Sequence, residues 1–198
     1  MIDEATLIAA DRWRLWCSLT RGLGHQLANA SQMLTLEPVP ATALGEARER
    51  MAYAIESLGA FRGADASGPQ LLPAVLRSLD RLQRMQMEFP ATPMPVALGP
   101  NLPAIAGAPE DLAHLLLGMV TLLKEAVHGQ RADLALTATP MEGGVEIVLV
   151  ERRAPACPLP GRALELLARR MGARLEAGGT EATLRLQLPG WEPRRPQA

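Results

Sequence analysis

The chain has 198 residues, of which 48% are hydrophobic but only 3% aromatic, so it can bury a core, built mostly from Leu, Ala, Val and Met. A formal net charge of -1 gives no electrostatic reason to propose nucleic acid or an anionic membrane as a partner. The two cysteines, Cys17 and Cys157, lie far apart without CxxC or Cys/His ligand spacing, which argues against a zinc site or a disulfide framework and for reduced thiols.

The start, Met1 to Glu4, lacks the basic and apolar regions of a signal peptide, and no apolar run approaches the ~18 residues of a membrane span. A cytoplasmic protein is the expectation. Ala5 to Thr35 reads as one long helix, because the apolar period is sustained and no proline interrupts it. At about 100° per residue, Leu15, Leu19, Leu23, Leu27, Ala30 and Leu34 share roughly a third of its circumference, the stripe expected to face a core. His25 lies roughly 150° from the centre of that stripe. Ser18, Gly22, Asn29 and Gln32 share its side of the helix, so the imidazole is expected to stand in water with little bulk around it. Gly22 and Gly24 flank it, although glycine costs up to about 1 kcal/mol against alanine inside a helix, which points to a close approach.

Pro38 and Pro40 stop this helix, and Thr42 is placed to cap the next. From Leu44, the positions Ala47, Met51, Ala54, Leu58 and Phe61 alternate spacings of four and three, a seam suited to helix-on-helix packing. The two helices form a hairpin, and pairing with a copy of itself would close the open seam as a four-helix bundle, with Trp13 and Trp16 in hairpin or dimer packing. The expectation is a homodimer. Gly63 to Gln70 reads as a linker, so the expected division is a hairpin over 1–63, a second domain over 71–190 and a flexible tail over 191–198.

The second domain begins with a helix from Leu71 to about Met87, followed by a short strand at Pro95 to Leu98. A strongly apolar helix runs from Glu110 to His128, with Gly129 as its C-cap. The period then switches to two over Asp133 to Thr139 and Val145 to Val150, joined by the hairpin signal Met141 to Gly144. Gly161 to Met171 returns to helix, and a last hairpin runs from Ala173 to Leu188 through Gly178 and Gly179. The fold class is α+β, with helices layered on a mainly antiparallel sheet. His114 and His128 read as structural, and Arg14 as a solvated face that could also meet an acidic partner edge.

A helix carrying His25-Gln26-Leu27-Ala28-Asn29, a hairpin partner, a linker and an α+β domain, in this order, resembles the transmitter region of sensor histidine kinases over roughly residues 5 to 189. The histidine motif of that family continues with an acidic residue, where Gln26 stands here. Its ATPase-like domain carries two asparagines on the nucleotide-binding helix, where Gly118 and Leu122 stand, and an Asp at the end of a strand, where Glu151 to Pro155 follow Val150. No room remains for a nucleotide lid between that strand and the next helix. Frame kept and ligands lost is similar to the phosphorelay histidine phosphotransferases with a degenerate kinase fold.

The resemblance implies a dimeric four-helix bundle followed by a degenerate ATPase-like α/β sandwich, with His25 as phosphoacceptor and phosphoryl transfer to and from response-regulator receiver domains. It implies no ATP and no metal or other cofactor of the chain's own, the Mg²⁺ being on the receiver. Asn29 is implied in orienting, or in phosphatase chemistry on the receiver. Gln26 cannot act as a base at neutral pH, which disfavours autophosphorylation. Ser18, Arg21, Gly22 and Gln32 are the expected partner-binding surface. The alternatives are a non-catalytic binding or scaffold protein and a receiver phosphatase using Asn29.

Overall fold

The computed structural model describes residues 3–35, 40–62, 69, 71–179 and 181–191, and between 53 and 62 only the side chain of Ile55. Two long helices, α1 (Glu4–Leu34) and α2 (Ala41–Arg62), precede α3 (Leu72–Arg84), β1 (Val96–Leu98), α4 (Pro109–Ala126), β2 (Leu134–Met141), β3 (Gly144–Glu151), α5 (Arg162–Arg170), β4 (Arg174–Gly178) and β5 (Ala182–Pro189). This is the expected α+β chain, N-terminal helices followed by a sheet with helices. Most of the expected linker and the tail beyond Trp191 lie outside the described residues, as do the side chains of Ala54, Leu58 and Phe61.

Local chemistry sets the ends of the helices. The Asp3 carboxylate accepts from the Thr6 N–H at 2.7 Å and caps α1. Pro109 opens α4 with Glu110 and Asp111 in its first turn, where an N-terminal helix dipole favours negative charge. His128 and Gly129, with φ of +50° and +80°, turn the chain out of α4. Helix α3 stops at Arg84, short of the expected Met87, and residues 85–89 continue as turns.

Among the described residues the sheet has five strands in the order β1-β2-β3-β5-β4. β1 pairs with β2 in parallel, since α4 carries the chain back between them, and the other neighbours are antiparallel. Met141 opposes Gly144, so the β2–β3 connection is the two-residue turn Glu142-Gly143, with Gly143 at φ +77°. On one face Leu136, Ala138, Ile147, Leu149, Leu184, Leu186 and Leu188 are buried in a single core with Leu76 and Leu79 of α3, Leu115 and Leu116 of α4 and Leu167 of α5.

The first helix belongs to the same core. Ile8, Leu15, Leu19 and Leu23 pack into it, and Ala30 is also buried. The stripe read from the sequence is therefore split, because Leu27 and Leu34 remain 48% and 39% exposed. Polar contacts fasten the N-terminal half of α1 to α4. Arg12 pairs with Asp111 at 2.5 Å, and Arg14, exposed as expected, reaches Glu125 at 2.9 Å. The fully buried His114 is 2.9 Å from Asp11 through Nε2, while its Nδ1 accepts from Arg12 Nε at 3.4 Å. Those partners put the ring proton on Nε2. Burial raises the Asp11 carboxyl, but the bond from His114 and the charge of Arg14 outweigh it and hold its pKa below the usual value.

Candidate functional site

Helix α1 presents His25 at the surface, just beyond Gly22 and Leu23, which are buried. Its Nε2 lies 3.1 Å from Asn29 Nδ2, four residues on and on the same side of the helix. An amide nitrogen can only donate, so Nε2 is the acceptor in this contact. A Cβ added at Gly24 would meet nothing within 4 Å, which leaves open space next to the ring's helical position. The imidazole is therefore free to meet a second molecule.

Gln26 points elsewhere. Its Oε1 accepts from Arg50 NH1 of α2 at 3.2 Å, at the edge of a cleft of about 580 Å³ between the hairpin and α3. Glu46, Glu49 and Arg50 of α2 face Asp80, Arg81 and Arg84 of α3 across this cleft, so its charges are balanced. The residue after the histidine thus ties the two helices of the hairpin together, and among the described residues only Asn29 hydrogen-bonds to the ring.

The structure moves two of the expected site residues. Ser18 and Gly22 lie on the histidine's side of the helix in sequence, but the turn after α3 covers them. The Ser18 hydroxyl donates to Glu88, and a Cβ at Gly22 would overlap the Met85 carbonyl oxygen. They serve the chain's own packing and are not available to a partner. Arg21 and Gln32 are exposed beside His25, as expected. The close approach inferred from the glycines is real at Gly22, though the approaching group is the protein's own backbone.

Behind this turn lies a buried polar group that the sequence reading passed over. Lys124, on α4, donates from Nζ to the Gln83 carbonyl at 2.7 Å and sits 5.5 Å from the Phe89 ring centroid. Burial lowers its pKa to about 8, against the pull of Glu88 and Asp80. A lysine inside an otherwise apolar helix was the available signal.

At the positions where the resemblance expects nucleotide ligands, the geometry is apolar. A Cβ at Gly118 would stand 2.5 Å from Leu164 Cδ2, so the glycine lets α5 pack directly on α4. Leu122 packs against the core. Glu151 is fully buried, and its two oxygens accept from the Asp133 and Arg153 backbone N–H groups, each at 2.7 Å. These residues do not fit a magnesium nucleotide, which needs carboxamide or carboxylate oxygens free to face it. Among the described residues no cluster of three His, Cys, Asp or Glu side chains has metal-site geometry, and no helix is long and apolar enough to cross a membrane. Cys17 and Cys157 are free.

No protein-family model matches the chain, and no curated protein matches it. Solved structures do. A bacterial phosphotransferase solved at 1.7 Å resolution is similar over 91% of this chain and 96% of its own, with a TM-score of 0.54 at 14% identity. Full-length ShkA, solved in complex with AMPPNP, is similar over 95% of this chain and 46% of its own, with a TM-score of 0.50 at 16% identity. The chain therefore shares its fold with that bacterial phosphotransferase.

Proposed function

We propose that this chain is a histidine phosphotransferase, which relays phosphoryl groups between response-regulator receiver domains through a phosphohistidine at His25. The observation that carries the proposal is the exposed imidazole beside Asn29 on the first helix of a chain with this fold. A neutral imidazole is a competent nucleophile at neutral pH. A ring-nitrogen lone pair attacks the phosphorus of a receiver aspartyl phosphate, and the acyl P–O bond breaks with its electrons left on the aspartate. The reverse step delivers the group to a second receiver. Charge stabilisation comes from the receiver's Mg²⁺ and Lys, so the chain needs no metal of its own.

ATP is not the donor in this reading. Gly118, Leu122 and the buried Glu151 offer no ligands to a magnesium nucleotide, Leu164 fills the space at Gly118, and Gln26 is neither a base nor in contact with the imidazole. Residues 71–190 form a degenerate ATPase-like platform that fixes the phosphoacceptor helix. Residues 1–63 supply phosphotransfer and dimerisation in the cytoplasm. The dimer is read from apolar side chains left uncovered on the hairpin: Trp13, Leu27 and Leu34 of α1 and Leu44, Met51 and Ile55 of α2. Arg21 and Gln32 flank His25 as partner contacts.

Incubation with phosphorylated receiver domains tests the reading. Acid-labile phosphate on the wild-type chain, absent from His25→Ala, is the expected result. Loss of receiver phosphate without label, sensitive to Asn29→Ala, would replace the transferase with a phosphatase. Stable receiver binding with neither outcome would replace it with a scaffold.

A further inference from the structure

We infer that Asn29 is the positioning residue that selects the reactive tautomer of His25, holding the ring proton on Nδ1 and leaving Nε2 as the nucleophile. The inference rests on the transferase reading for its consequence but not for its geometry. An imidazole with one ring proton has one donor nitrogen and one acceptor nitrogen, and only the acceptor has a lone pair in the ring plane for attack. The Asn29 amide nitrogen is 3.1 Å from Nε2. It carries two hydrogens and no lone pair to offer, so the contact exists only when Nε2 is unprotonated.

The other neighbour that could set the tautomer is directed elsewhere. The Gln26 side-chain oxygen accepts from Arg50 of α2. In this chain the residue one helical turn after the histidine therefore does the orienting that the adjacent residue could have done. His114 supplies an internal contrast, since Asp11 accepts from its Nε2 and Arg12 donates to its Nδ1. Two histidines of one chain are thus held in opposite tautomers by their partners.

The chemical step balances with these assignments. As the phosphorus arrives, the Asn29 N–H leaves the Nε2 lone pair, which forms the N–P bond while the aspartate keeps the electrons of the broken P–O bond. The ring then bears phosphorus on Nε2 and hydrogen on Nδ1, and releases the Nδ1 proton to solvent.

Long-range ¹H–¹⁵N correlation spectra of the full chain, labelled with ¹⁵N-histidine, read the tautomer directly, with His25→Gln identifying the signal. In the wild type, His25 is expected to show an acceptor-type Nε2 and a protonated Nδ1, and His114 the opposite pattern. Asn29→Leu removes the donor and is expected to move the His25 tautomer ratio toward Nε2–H by about 2- to 10-fold, the range one hydrogen bond supports. Asn29→Asp replaces the donor with an acceptor and is expected to put the proton on Nε2 outright. A wild-type His25 protonated on Nε2, or a ratio that neither variant moves, would overturn the inference. Phosphate labelling of the same samples reports separately on the transferase, because the tautomer is read without any receiver present.

Discussion

The two ends of α1 handle polarity in opposite ways. From Glu4 to Leu23 the helix is built into its own chain, and its polar groups Arg12, Arg14 and Ser18 are each tied to a residue of the second domain. From Gly24 to Leu34 it leaves an imidazole, an arrangement of small residues and part of an apolar ridge exposed. The same contrast separates the two histidines: His114 is buried between Asp11 and Arg12, and among the described residues His25 hydrogen-bonds only to its helical neighbour Asn29. What closes around a histidine decides what it can meet, and the open half of α1 is the half to which the proposed function assigns the chemistry.

If the ridge on the open half is a dimer seam, breaking it should cost more than any other single change. Leu27→Asp alters two copies per dimer and is expected to remove about 3 kcal/mol, or about a hundredfold in Kd, while the secondary structure of each protomer is kept. Sedimentation equilibrium checks it, and a wild-type chain that is monomeric at micromolar concentration would show that the ridge is not a dimer seam.

The closed half makes a prediction about pH. The folded Lys124 has its pKa lowered to about 8 from 10.5, so below pH 8 both folded and unfolded states are charged and the burial penalty is present in full. Between about 8 and 10.5 the unfolded chain binds more protons, and stability should rise with pH by about 3 kcal/mol from this group. Denaturant titrations across that window should show the rise in the wild type and its loss in Lys124→Met.

Two neighbouring glycines sharpen the boundary between the halves. At Gly22 a methyl group meets the Met85 backbone, which cannot rotate away, so Gly22→Ala is expected to destabilise by about 1–2 kcal/mol even after the gain in helix propensity. At Gly24 a methyl group meets nothing, and Gly24→Ala should stabilise by up to about 1 kcal/mol. Thermal melts of the two variants should move in opposite directions.

Most of the fold was legible in the sequence, because apolar period distinguishes helix from strand and Pro and Gly mark the breaks. The ends of α1, α4 and α5 lie within one or two residues of where the pattern put them, and Gly143 and Gly129 turn the chain where turns were expected. His25 on an open face and its proximity to Asn29 were legible from helical spacing alone. Ser18 and Gly22 were misplaced because α1 is covered on more than one side, and a face closed by another segment's backbone carries no apolar signature. The Gln26–Arg50 bond and the parallel edge strand β1 depend on which elements meet, which one chain's local pattern does not contain.

In the proposed function, His25 takes its phosphate from a protein and not from ATP. Intact mass spectrometry at alkaline pH, after parallel incubations with a phosphorylated receiver and with ATP and Mg²⁺, compares the two donors on the same chain. One added phosphoryl group from the receiver, lost in His25→Ala, and none from ATP, is the expected result. An added phosphoryl group from ATP alone, or from neither donor, would contradict it.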